Sequence, residues 1–122
     1  MTKEVLKSRW KAMTLRVINL VKVLPRSITG DVLGRQLIRS ASSVTANYRA
    51  ACKGRSKADF ISKLGIVEEE IDETRLWIEL IGDCALIPPS RLKELMREVD
   101  ELASIFAASR ITAQRNAKVA KS

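Results

Sequence analysis

The sequence predicts an all-α protein: an antiparallel, up-down-up-down bundle of four helices. Three observations carry that prediction. Apolar residues recur at alternating four- and three-residue spacing in four successive segments, the pattern of a helix with one buried face. The 122 residues include only 5 Gly and 3 Pro, so connections must be few and short. A β-sandwich, with a turn every ~8–12 residues, would need more of both. The length fits one domain that can bury a core without disulfide staples.

In the first segment the apolar line is Leu6, Trp10, Met13, Val17, Leu20 and Leu24. Pro25 ends it, because proline disfavours helical geometry at the residue before it. Thr29 is the expected N-cap of the next helix, with Asp31 adding favourable charge to its first turn. That helix is expected from about Asp31 to Cys52, with Leu33, Leu37, Ala41, Val44, Tyr48 and Ala51 as its core line. Beside this line runs a polar one, Gln36, Ser40, Ser43 and Asn47. Such residues fit a helix–helix seam, where buried polar groups must find hydrogen bonds, and Asn47 is expected to bond a neighbouring helix or loop. Gly54 stops the helix.

Ser56-Lys57-Ala58-Asp59 resembles a capping box and opens a third helix, expected to reach about Leu86. Its core line is Phe60, Leu64, Val67, Ile71, Thr74, Ile78, Ile81 and Ala85. Pro88-Pro89 breaks it, and Ser90 is the expected cap of a fourth helix. The line there is Leu92, Leu95, Val99, Leu102, Phe106 and Ser109. The bundle is expected over residues 1–111, with 112–122 a basic, frayed tail. Four/three spacing favours helices crossing at about +20°.

Composition excludes much chemistry. There is no histidine, which removes Ser-His-Asp and Cys-His arrangements, di-iron Glu-x-x-His pairs and His-containing zinc sites. Cys52 and Cys84 fall at opposite ends of the expected bundle, too far apart for a disulfide. Two free thiols fit a reducing cytoplasm, no run approaches the ~18 apolar residues of a membrane span, and the first residues carry charges where a signal peptide needs an apolar run, so a soluble cytoplasmic protein is expected. Carboxylate chemistry with Mg²⁺ remains. Glu68, Glu69, Glu70, Asp72 and Glu73, with Glu98 and Glu101, loosely echo all-helical nucleotide pyrophosphohydrolases. The spacing is imperfect. Ordinary solvated charge with i,i+4 partners such as Arg75–Glu79 is the stronger reading. No enzyme activity, cofactor, metal or membrane contact is expected.

The net charge of +8 is unevenly spread. Residues 1–56 hold twelve basic and two acidic residues; residues 57–90 hold three and eight. On the second helix Arg35, Arg39, Arg49 and Lys53 share a line with Ser42 and Ala46, and Lys7 and Lys11 can extend it on the first helix. Small residues between cations leave room for a phosphate backbone. The competing reading pairs these arginines with the acidic third helix. Most aromatic residues lie on core lines, so base stacking is disfavoured and any binding is backbone-directed. Leu76, Trp77 and Leu80 lie outside the third core line. They mark either a subunit interface or a wide core face.

The stretch Gln36-Leu37-Ile38-Arg39-Ser40-Ala41-Ser42-Ser43-Val44-Thr45-Ala46-Asn47 resembles the most distinctive motif of the 23S rRNA intervening-sequence proteins. Gly54-Arg55-Ser56, Asp59-Phe60, the long third helix with its acidic middle, and Leu24-Pro25 also fit. The resemblance covers roughly residues 5–108. One departure is Tyr48-Arg49-Ala50-Ala51, where the family more often has small residues ending in an acid followed by Gly. The resemblance implies a cytoplasmic bundle that forms a ring-like homopentamer, and it favours the interface reading of Trp77. It carries over no catalytic residue. Members are encoded within ribosomal RNA gene insertions or stand alone. A related bundle, an accessory protein of diversity-generating retroelements, is thought to bind nucleic acid. The expected function is therefore a non-enzymatic homo-oligomer with a basic surface that binds RNA or DNA, or else an adaptor for an acidic protein.

Overall fold

A computed structural model gives the protein four helices: α1 (Lys3–Lys22), α2 (Ile28–Cys52), α3 (Lys57–Asp83) and α4 (Pro89–Lys121). The structure describes residues 1–121, with side chains to residue 120. Each helix packs on its sequence neighbour, and α1 closes against α4. The α2–α3 contact is the most extensive and the α1–α4 contact the least. The direction of packing follows from named contacts. Trp10, midway along α1, meets Ala41 midway along α2, while Gly34 near the start of α2 lies against Val21 and Leu24 at the end of α1. That is the antiparallel bundle the spacing predicts.

The helix starts follow local chemistry, with two corrections. Thr2 caps α1 and Ser56 caps α3, each hydroxyl accepting a first-turn N–H. Ser27, not Thr29, caps α2, taking the Gly30 N–H at 2.9 Å, so the helix begins at Ile28. Gly30 makes this tight entry possible: a Cβ there would sit 2.3 Å from the Pro25 carbonyl oxygen. At α4, Pro89 is the first helical residue and Ser90 is not the cap. Proline suits that position, since its missing N–H would have had no intrahelical partner.

α3 also ends early, at Asp83 rather than Leu86. Ala85 takes a left-handed backbone with φ 56°, and its exposed side chain does not extend the core line. The Leu86 N–H returns to the Ile81 carbonyl at 3.1 Å and the Ala85 N–H to Gly82 at 3.0 Å. These are the bonds of a Schellman turn. Ile87 is buried instead.

The rest of the core follows the apolar lines. Trp10, Met13, Leu37, Leu64, Ile71, Leu102 and Phe106 are fully buried, while Leu20, Phe60 and Ser109 are only partly so. Phe106 joins the two sides of the bundle, with edge contacts to Trp10 at 6.1 Å and to Tyr48 at 4.9 Å between ring centroids. The Trp10 indole N–H donates to the Ala41 carbonyl at 2.9 Å. No boundary falls at residue 111. α4 continues as helix through residues 112–121, its last turns beside the first turns of α3, where Ile61 meets Ala117 across a shared groove. Ser122 of the expected tail lies outside the described residues. Among the described residues no helix is long and apolar enough to cross a membrane.

Candidate nucleic-acid interface

The second helix buries Leu33, Leu37, Ala41, Val44, Tyr48 and Ala51 and turns its opposite side outward. Arg35, Arg39, Ser42, Ala46, Arg49 and Lys53 are all exposed or half-buried there, in one strip along α2. On α1, the Thr14 hydroxyl meets the Thr45 hydroxyl of α2 at 3.1 Å. This contact identifies the edge of α1 that faces α2. Lys11 and Lys7 precede Thr14 by helical repeats and occupy the same edge. Lys11 is exposed and Lys7 half-buried. Lys7 and Lys11 thus lie on the α1 edge that adjoins α2, while the α2 strip faces away from the core, with Arg39 reaching toward α3.

Their partners divide them. Arg39 donates to Glu70 at 3.1 Å, to Glu73, and to the Gln36 side-chain oxygen at 2.9 Å. Lys7 pairs with Glu4 at 3.0 Å. Arg35, Arg49, Lys53 and Lys11 make no ion pair among the described residues. Elsewhere arginine and carboxylate tie helix to helix. Arg9 reaches from α1 to Glu98 and Glu101 of α4, at 2.7 and 3.5 Å. The hydrogen bond to Glu98 raises the Arg9 pKa above its ordinary value. Arg75 on α3 bonds Asp100 of α4 at 2.8 Å and Asp72 at 3.2 Å, rather than the expected Glu79. Arg110 on α4 bonds Glu68 of α3.

The acidic run of α3 is therefore not one cluster in space. Helical geometry sends Glu70 and Glu73 toward α2, and Glu68 toward α4. Among the described residues no three His, Cys, Asp or Glu side chains stand together as a metal site would require.

The polar line of α2 is partly a seam. Ser40 is buried; its hydroxyl donates to the Leu37 carbonyl at 3.2 Å and accepts from Thr74 of α3 at 2.9 Å. Gln36 holds Arg39. Asn47 corrects its expectation: its amide donates to the carbonyl and hydroxyl of Ser43, at 2.9 and 3.0 Å, within the same helix. A short amide reaches its own preceding turn more readily than a neighbouring helix. Thr74, read as one position in an apolar line, is the polar partner that sequence reasoning missed. A hydroxyl in such a line, facing a helix that carries Ser40, was the available signal.

On α3, Leu76 is 44% exposed, with Trp77 and Leu80 half-buried. The Trp77 indole nitrogen is buried and has no hydrogen-bond partner among the described residues. Ile66 is exposed on the same helix, and Gly65 faces open space.

Comparison with known proteins places this architecture. A family model described as 23S rRNA-intervening sequence protein matches residues 5–108. A crystal structure at 1.70 Å of a protein of unknown function from the S23 ribosomal protein family of Bacteroides thetaiotaomicron VPI-5482 is similar, with a TM-score of 0.83 and 30% sequence identity. The match covers 90% of this chain and 98% of that one. No curated protein matches. With four helices in the expected order and the family match spanning nearly all of them, the chain belongs to the 23S rRNA-intervening sequence protein family.

Proposed function

We propose that the protein is a non-enzymatic, self-associating bundle that binds RNA or DNA through the phosphate backbone. The observation that carries this reading is the outward α2 strip, in which Arg35, Arg49 and Lys53 have no ion-pair partner among the described residues. Lys11 adds a fourth uncommitted cation on the adjoining edge of α1. A guanidinium without an ion pair can exchange water for phosphate without first breaking an internal bond, whereas Arg39 must leave Glu70 and Glu73. Ser42 and Ala46 keep the strip low enough for a backbone to approach. Contacts of this kind carry little base information.

Self-association is supported by Leu76, Trp77 and Leu80. Leu76 is exposed beside half-buried Trp77 and Leu80, an apolar strip that a neighbouring subunit would cover. A ring would repeat the cationic strip and convert weak contacts into avidity. Single sites of this kind bind at Kd around 10⁻⁴–10⁻⁶ M at physiological salt.

Salt titration of duplex DNA and single-stranded RNA binding tests the reading. Affinity should fall steeply, with a log–log slope of about −0.9 for each duplex phosphate neutralised. No retention of either nucleic acid at low salt removes the reading, and capture of an acidic protein by the same strip would put an adaptor in its place. Light scattering that gives a monomer mass at micromolar concentration removes the oligomer.

A further inference from the structure

At the end of the bundle where α1 begins, α3 and α4 run on past it and leave a cleft of about 680 Å³. Its walls include Leu6, Tyr48, Ala51, Phe60, Ile105 and Ala108. The volume lies within the ~300–1,000 Å³ of small-molecule sites, and the apolar walls match their usual lining. Two lysines, Lys3 and Lys57, line the cleft, and among the described residues no carboxylate does. The Lys3 ammonium stands 4.5 Å from the Phe60 ring centroid, a cation–π contact that holds the charge beside the cleft.

The start of α3 favours the same sign, its first-turn Asp59 carboxylate being paired with Lys63. α3 starts here, and its first turn contributes positive potential. The opposing end of α2 is neutralised, because the Lys53 and Gly54 N–H groups bond the Ala50 and Ala51 carbonyls at 3.2 and 3.0 Å. Ser109, Thr112 and Asn116 add polar groups on the α4 wall.

We propose that this cleft binds a small amphipathic anion, an apolar body of medium length carrying a single anionic head. The body would lie against Phe60, Tyr48 and Ile105, and the head would meet Lys3 and Lys57. This site is separate from the α2 strip and does not depend on nucleic-acid binding.

The cleft carries its own reporter. Cys52 lines it, while Cys84 is exposed at the other end of the bundle. Decanoate, the probe, is titrated into the full chain with heat as one readout and alkylation of each cysteine by iodoacetamide as the other. One site per chain is expected, with Cys52 alkylation slowed roughly tenfold and Cys84 unaffected. Decanol, the uncharged analogue, should bind roughly tenfold more weakly. Lys3→Glu with Lys57→Glu, both at exposed positions, should weaken decanoate by a similar factor and leave decanol unchanged. Ala108→Trp, which fills the cleft from an exposed position on its α4 wall, should abolish heat and protection while circular dichroism stays helical. Absence of binding heat, equal slowing of both cysteines, decanol binding as tightly as decanoate, or protection surviving Ala108→Trp would each overturn the proposal.

Discussion

Arg35 and Arg110 are both arginines on long amphipathic helices, yet they are placed in opposite circumstances. Arg35 lies on the outer strip of α2 with no carboxylate in reach among the described residues. Arg110 lies on the α4 side that faces α3, where it bonds Glu68 and Gln114. The same contrast separates Arg49 from Arg75, which is shared between Asp72 and Asp100. The α3–α4 seam commits its carboxylates to cross-helix ties, and the α2 strip leaves its cations to solvent. Net charge alone does not make a surface available to an anion. What matters is whether each cation is already committed, and Arg39 shows that a single helical line can contain both kinds.

The largest expected effect breaks the strip. Replacing Arg35, Arg49 and Lys53 together by Gln should lower duplex DNA affinity about 100-fold at low salt. The salt slope should become shallower by roughly 0.9 for each phosphate that is no longer neutralised. Arg39→Gln alone should cost less than Arg35→Gln alone, because Arg39 already serves Glu70 and Glu73. Equal losses from the two single variants, read by filter binding, would erase the distinction between free and committed cations.

The next effect concerns Tyr48, the α2 residue whose ring meets Phe106 of α4. Burial pushes its phenol well above the ordinary value of 10.0, with the neighbouring Cys52 adding to the shift. The unfolded chain therefore loses this proton first as pH rises. The resulting stability is complete below pH 10 and is lost progressively above it, by up to about 1.4 kcal/mol per pH unit. Urea unfolding at rising pH should show a steeper decline in the wild type than in Tyr48→Phe. Parallel curves would mean that the phenol ionises freely in the folded protein.

Ala85→Gly tests the turn that ends α3. A left-handed alanine is strained by roughly 1 kcal/mol, so glycine should raise stability by a few tenths up to about that amount. Thermal unfolding would detect it, and a lower midpoint would contradict the strain. On the committed side, Arg9→Gln loosens the α1–α4 tie to Glu98 and Glu101. As a partly exposed pair it should cost about 0.2–1 kcal/mol and leave DNA affinity within twofold or so.

Asn47→Ala is expected to be the smallest change. The amide bonds only its own helix, at a carbonyl that already belongs to the helix, and alanine is the better helix former. Denaturant unfolding should move by less than about 0.5 kcal/mol. A loss nearer the 1–3 kcal/mol of an orphaned buried partner would show that the amide supports a neighbouring element after all.

The sequence alone determined four helices, their order and most of the core. Leu6 through Val17, Leu33 through Ala51 and Leu64 through Ile81 had to share faces, because an α-helix repeats every 3.6 residues whatever surrounds it. It also located the surplus of positive charge on the first half of the chain. It misplaced the cap of α2, the end of α3 and the end of α4, since each depends on contacts across a turn or between helices: Gly30 under the Pro25 carbonyl, Ala85 in its left-handed turn, the last turns of α4 laid along α3. The tertiary structure alone decided which charges are committed. Side chains distant in sequence, such as Arg39 and Glu70 or Arg110 and Glu68, become partners only once the helices are packed in register, and no periodicity within one helix specifies the rotation and stagger of its neighbour.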